Sequence, residues 1–205
     1  RRLNTLLNGQ GWYDQLVLVD PTNANVAYFG GALLLAKTSD GGTTYTQMSN
    51  WLAQFGLPYV HADAHAATFA SDGSFYIGSD GGIFKSTNKG ATWTDTLNNG
   101  LATHQFYNIG SSAAAPQEVL GGLQDNGTRL RSGATSIFNE VIGGDGFGVD
   151  INRTDGTKMI GSLYYDDILK STDSGKTWAN AWNGIKEANN AKSAPFNTHV
   201  VAWDG

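Results

Sequence analysis

The stretch Ile77 to Asp95 reads IGSDGGIFKSTNKGATWTD. It contains two short β-rich runs separated by Asp80-Gly81-Gly82, then a tight turn over Thr87 to Gly90, then a third run through Trp93. Its core pattern is Ser86-x-Asn88-x-Gly90-x-Thr92-Trp93. An Asx side chain accepts hydrogen bonds from backbone N–H groups just ahead of it and closes a turn. The glycine supplies a positive φ at little steric cost. Threonine and an aromatic residue then suit the start of a strand.

The pattern recurs as Thr38-x-Asp40-x-Gly42-x-Thr44-Tyr45 and as Ser171-x-Asp173-x-Gly175-x-Thr177-Trp178. The intervals are 48 residues from Gly42 to Gly90 and 85 from Gly90 to Gly175. The second is close to two periods, and a shortened copy falls between them, Gly127 to Ser132 followed by Gly133 to Phe138. A period of roughly 40–50 residues with four short strands per unit marks a β-propeller. The expected fold is therefore all-β, with four-stranded antiparallel blades.

The expected organisation is residues 1–14 as the end of a preceding blade, 15–58 as blade 1, 59–103 as blade 2, 104–142 as blade 3 and 143–197 as blade 4. Residues 198–205, THVVAWDG, are expected to begin a further blade. Four blades and a fraction lie at the low end for a closed propeller, and an open fan exposes unpaired sheet edges. The chain thus reads as a fragment of a larger ring. The partners this implies are the remaining blades, in the same or another chain.

Composition narrows the class. The chain has 205 residues, is 40% hydrophobic and 15% charged, and holds 27 glycines and no cysteine. That composition excludes disorder and disulfide or thiol chemistry. The net charge of −5, with no basic run, speaks against nucleic acid. No apolar run approaches the length of a membrane span, so membrane insertion is not expected.

The repeats resemble the Asp-box (BNR) repeat of sialidases, family 74 xyloglucanases and sortilin-type propellers. The wider phrases GQGWYD (Gly9 to Asp14), YVHADAH (Tyr59 to His65), GSDGGIFKST (Gly78 to Thr87), GLQDNGT (Gly122 to Thr128) and GGDGFG (Gly143 to Gly148) are similar to bacterial secreted propellers of the sortilin/VPS10-like group. The resemblance implies a secreted or cell-surface bacterial protein whose partners are glycans or extracellular proteins.

Propeller topology places the box turns on one face and the loops leading into first strands, with the second-to-third strand loops, on the other. The box residues Asp40, Asn88 and Asp173 therefore read as structural. The opposite face collects the chemistry: Trp12, Tyr13, His61, Asp63, His65, Asp80, His104, Gln124, Asp125, Asp145, Tyr164 and Asp166. If 61–65 is extended, His61, Asp63 and His65 share one side. Two imidazoles and a carboxylate suit a transition metal, or acid–base work, or a polar brace between blades. Asp80, Asp125 and Asp145 come from successive blades and, with His65, are the candidate catalytic set. Glycoside hydrolysis needs two carboxylates about 5–9.5 Å apart. Turn chemistry explains DGG and DNG equally well, and calcium is a further option for oxygen-rich loops. Asp80 in SDGGIF resembles the TDxGGxY stretch of family 74 enzymes, with one residue fewer before the glycine pair. A sialidase site needs three convergent arginines, and only Arg129 and Arg131 lie near this face. The remaining aromatics suit sugar stacking or protein anchoring. The reading is a recognition module for glycan or protein ligands with no cofactor, or alternatively a glycoside hydrolase using paired aspartates.

Overall fold

A computed structural model of the chain describes residues 6–202. The expected strand at 198–205 falls partly outside the described residues; over 198–202 the chain forms no regular strand. The chain divides into two compact units, meeting in sequence at Ala102 and Thr103. Among the described residues, no helix is long and apolar enough to cross a membrane.

The first unit holds two sheets. One is β1 (Leu16–Asp20), β2 (Asn23–Gly30), β3 (Leu35–Thr38) and β4 (Thr46–Gln47), paired in that order. The other is β5 (Ala64–Phe69), β6 (Phe75–Ser79) and β7 (Gly82–Ser86). The second unit holds β8 (Asn108–Ser112), β9 (Ala115–Leu123), β10 (Gly127–Ser132) and β11 (Asn139–Ile142) in one sheet. Its other sheet is β12 (Val149–Ile151), β13 (Met159–Ser162), β14 (Ile168–Ser171) and β15 (Ala179–Asn180). Every strand pairs antiparallel with its neighbour in sequence, the up-and-down meander of a propeller blade.

Alternation drives the burial. In the first unit Leu16, Tyr28, Leu35, Phe75, Ile77 and Phe84 meet between the two sheets. In the second, Leu120, Leu130, Val149, Ile151 and Met159 do the same. An ion pair adds to the first core. Lys89 donates to Asp20 at 2.8 Å and to Thr22 Oγ1 at 3.3 Å. The Asp20 carboxylate is buried, and the Lys89 ammonium, then the Thr22 hydroxyl, hold its pKa well below the usual carboxylate range.

The three repeated turns share one hydrogen-bond network. The buried Thr38, Ser86 and Ser171 hydroxyls each donate to the Asx side chain two residues on, at 2.8–2.9 Å. The same oxygens accept the N–H of Gly42, Gly90 and Gly175, at 2.8–2.9 Å. The Asx oxygen accepts the N–H of Thr44, Thr92 or Thr177, each at 2.9 Å. Each turn is thus closed by side chains within one heptapeptide.

That network is pH-sensitive where the Asx is Asp. Hydrogen bonds from the Thr44 and Thr177 hydroxyls, then from the same residues' N–H groups, lower Asp40 and Asp173 from 3.8 to about 2. A lowered folded-state pKa stabilises at pH above the unfolded value of 3.8, and the gain is lost as pH falls through about 2. In an acid titration followed by NMR, the Thr44 and Thr177 amides are expected to keep their turn shifts below pH 3.8 and lose them near 2. Midpoints near 3.8 for both amides sink the claim.

The second sheet departs from the four-strand expectation. The stretch Thr92 to Thr96 contributes a single bridge, Lys85 to Thr94, before a 3-10 turn at Thr96–Asn98. Asn98 then takes the strand's place. Its Oδ1 accepts Ile83 N–H at 2.8 Å and its Nδ2 donates to the Ile83 carbonyl at 3.1 Å.

Candidate functional site

The first unit gathers four polar residues around one imidazole. The phrase Gln10 to Asp14 forms a tight turn in which Tyr13 and Asp14 N–H both donate to the Gln10 carbonyl, at 2.7 and 3.0 Å. The turn points Asp14 inward, where its side chain is fully buried. Gln10 Nε2 donates to Asp14 Oδ2 at 2.7 Å and to Asp63 Oδ1 at 3.2 Å. The other Asp14 oxygen makes no hydrogen bond and lies 3.5 Å from His65 Nδ1. On the far side of the ring, His65 Nε2 lies 2.6 Å from Asp80 Oδ1. The ring of His65 is thus bracketed by two carboxylates, Asp14 and Asp80.

The backbone explains the placement of His65. The pairing of β5 with β6 slips between Ala64 and Ala66, so His65 is the extra residue of a β-bulge. Bulges re-aim a side chain out of the ladder. Asp63, just before it, has a left-handed φ of 59°, and its N–H donates to the Ala32 carbonyl at 2.8 Å. Residues 61–63 are therefore not extended, and the even spacing of His61, Asp63 and His65 does not place them on one strand face. The His61 ring instead lies against Gly81: a Cβ there would be 2.2 Å from it. The glycine pair of SDGGIF is needed for this approach as well as for the turn.

Beside the bracket stand two exposed rings. Trp12 is 81% and Tyr13 62% exposed, with centroids 5.5 Å apart. Tyr13 meets His65 edge-on at 5.1 Å. The side chains of His65 and Asp80 are 31% and 30% exposed. A ligand on the rings can reach both; it cannot reach Asp14. Asp14 and Gln10 were not singled out as site residues from the sequence. The signal was present, a carboxylate and an amide four residues apart inside GQGWYD.

The second unit holds the remaining candidate residues. Asp145 Oδ1 accepts the N–H of Asp125 at 3.0 Å, and Asp125 sits at a φ of 63°, so Asp145 braces the loop tip. Tyr107 Oη donates to Gln124 Oε1 at 2.7 Å. Tyr164 lies among Tyr165 and Phe196, and the Asp166 N–H donates to Thr198 Oγ1 at 2.9 Å. His104 stands with Phe106 and Phe138, and its pKa is lowered by burial, then by the Arg129 charge.

The chain is similar to a xyloglucanase. That protein, from Hypocrea jecorina (strain QM6a), is 26% identical over 220 aligned residues, which cover 85% of this chain. The match spans 26% of the relative's length. No family model matches. Among solved structures, a GH74 xyloglucanase from Xanthomonas campestris covers 80% of this chain and 29% of its own, at 17% identity and a TM-score of 0.34. A GH74 enzyme from Niastella koreensis covers 80% and 28%, at 20% identity and a TM-score of 0.33. YCF48 from Cyanidioschyzon merolae covers 77% and 56%, at 14% identity and a TM-score of 0.31. The blades themselves are read from the strand order of the four sheets, independently of these superpositions.

Proposed function

We propose that the chain is part of an extracellular, Asp-box β-propeller that recognises a neutral polysaccharide, with a xyloglucan-type β-glucan as the leading ligand class. The observation that carries this reading is the shelf of Trp12 and Tyr13 held beside His65 and Asp80. The C–H face of a pyranose stacks on an exposed ring, while its equatorial hydroxyls meet Asp80 and His65. The alignment with a xyloglucanase supports the ligand class. Further blades, in the same or another chain, complete the ring in this reading.

Hydrolysis by an Asp80–Asp14 pair is disfavoured. The carboxylate opposite Asp80 across the imidazole is Asp14, which is fully buried. A glycosidase pair must flank the scissile bond, and a buried carboxylate cannot. Asp145 is occupied by the Asp125 N–H.

Calorimetry with xyloglucan oligosaccharides tests the reading. Trp12→Ala is expected to weaken binding about tenfold, or ~1.4 kcal/mol, with an unchanged melting temperature because Trp12 packs on no core residue cluster. Unaltered affinity in that variant, or no binding by the parent chain, defeats the shelf. Release of reducing ends by the parent and its loss in Asp80→Asn would instead establish a hydrolase.

A further inference from the structure

We propose that the second unit carries a separate glycan-binding site, a platform of Tyr164 and Phe196 seated on Phe147 and bordered by Tyr107 and Gln124, which takes a neutral pyranose. The inference rests on the glycan reading above for its ligand class and on the second unit alone for its geometry.

Five rings run together here. Tyr107 meets Phe147 edge-on at 5.1 Å, and Phe147 meets Phe196 at 5.2 Å. Tyr164 and Phe196 lie in nearly parallel planes, 8° apart, with centroids 6.2 Å apart. Tyr165 closes the group against both. Phe147 is fully buried, but Tyr107 is 50% and Phe196 44% exposed. Leaving large rings half in water forgoes part of the hydrophobic gain that burial would bring. Tyr107 and Phe196 both pack on the buried Phe147, and exposed apolar rings grouped in this way mark a binding surface.

The loop that presents them is strained and firmly held. Tyr165 and Asp166 have left-handed φ values of 59° and 57°. Aspartate tolerates that region; for a bulky residue it is a genuine outlier. Such strain persists only where the surroundings enforce it, and it clusters at ligand sites. Here Tyr165 N–H donates to the Pro195 carbonyl at 2.9 Å, and Asn189 N–H donates to the Tyr165 carbonyl at 2.6 Å. Asp166 N–H donates to the hydroxyl of Thr198, which is buried. The segment 189–198 thus straps the ring-bearing loop and also supplies Phe196.

The chemistry selects the ligand. Near-parallel ring planes offer flat faces, which suit the C–H face of a sugar better than a side-chain knob. Gln124, with its amide oriented by the Tyr107 hydroxyl, stands at the rim to meet sugar hydroxyls. Asp145, Asp166 and Asp167 lie on the same loops, so an acidic sugar meets like charge.

The test titrates the whole chain with a neutral xyloglucan oligosaccharide, using calorimetric stoichiometry and amide chemical shifts, with oligogalacturonate as the acidic control. Two sites per chain are expected. Trp12→Ala should weaken one about tenfold and leave the other unchanged, the shifts of the unchanged site being confined to residues around 107, 124, 164–167 and 196. Tyr164→Ala should weaken that unchanged site tenfold or more, and Phe196→Tyr, which keeps the ring, should retain it. A single site that is weakened in Trp12→Ala and indifferent to Tyr164→Ala overturns the second site and leaves the first standing. A single site weakened in Tyr164→Ala and indifferent to Trp12→Ala supports the second and removes the first. Silence with neutral sugar, or equal affinity for oligogalacturonate, overturns the proposal.

Discussion

Phe75→Ala is expected to destabilise the first unit by about 3–5 kcal/mol, the usual result of removing a fully buried phenylalanine. Phe75 is 1% exposed and touches three other rings. It stacks on Phe69 of β5 at 4.7 Å and 18°, meets Tyr28 of β2 at 4.7 Å, and meets Trp93 at 5.1 Å. Those partners come from both sheets and from the box turn, so the cavity opens at the joint between the sheets. Tyr28 is fixed there by more than packing. It donates toward Asp20 at 3.5 Å, and burial, then the Asp20 charge, raises its pKa to about 12. The ring cannot easily swing in to fill the void. Domain stabilities of 5–15 kcal/mol make the loss a large fraction. Urea denaturation read by hydrogen exchange should show the β1–β7 amides losing protection first. A change below about 1 kcal/mol would mean that the two sheets are not joined through Phe75.

Gly122→Ala is the second large effect, expected at about 3 kcal/mol or more, at the upper end of the range for an overpacked core. An added Cβ would lie 2.1 Å from the Phe147 carbonyl oxygen and 2.9 Å from its nitrogen. Both contacts are backbone, so no rotamer change relieves them. Phe147 is itself pinned, since its N–H donates to the Ser162 carbonyl at 3.0 Å. Gly122 cannot retreat either, because its carbonyl accepts Tyr107 N–H at 2.8 Å and it pairs with Asn108 and Thr128. Gly133→Ala is the control. Gly133 has a φ of 74° with nothing within 4 Å of the added atom, so only the left-handed backbone objects, at about 1 kcal/mol. Similar thermal shifts for the two variants would show that close approach is not what Gly122 provides.

Legibility from sequence followed the range of the interactions. The three box turns were readable because every hydrogen bond that closes them lies within seven residues, Thr38 to Thr44 being the first case. The strands around them followed from alternation. The ends of elements were less legible. Nothing local shows that the amide of Asn98 substitutes for a fourth strand at Ile83. The even spacing of His61, Asp63 and His65 suggested a strand face. The outcome is set by distant partners, the Gly31 and Ala32 carbonyls and the slipped pairing with Ser79 and Gly78. The site residues were found by type more readily than by grouping. Asp80 and His65 do meet, but the buried carboxylate that completes the bracket, Asp14, acts across 51 residues of sequence. Phe196 and Tyr107 join the ring cluster from segments with no shared motif.

Asn98 bears on how the outer edge of a blade is closed. The outward backbone groups of β7 are the positions where another strand would dock. Those of Lys85 are paired with Thr94, and those of Ile83 with a single side-chain amide. A primary amide presents one acceptor and two donors, which is enough to imitate the two backbone groups of one residue in a ladder. The blade therefore ends without offering a template along which neighbouring molecules could zip together. It does so with one asparagine in place of a full strand, which leaves the residues after Asn98 at liberty to lead away into the next unit.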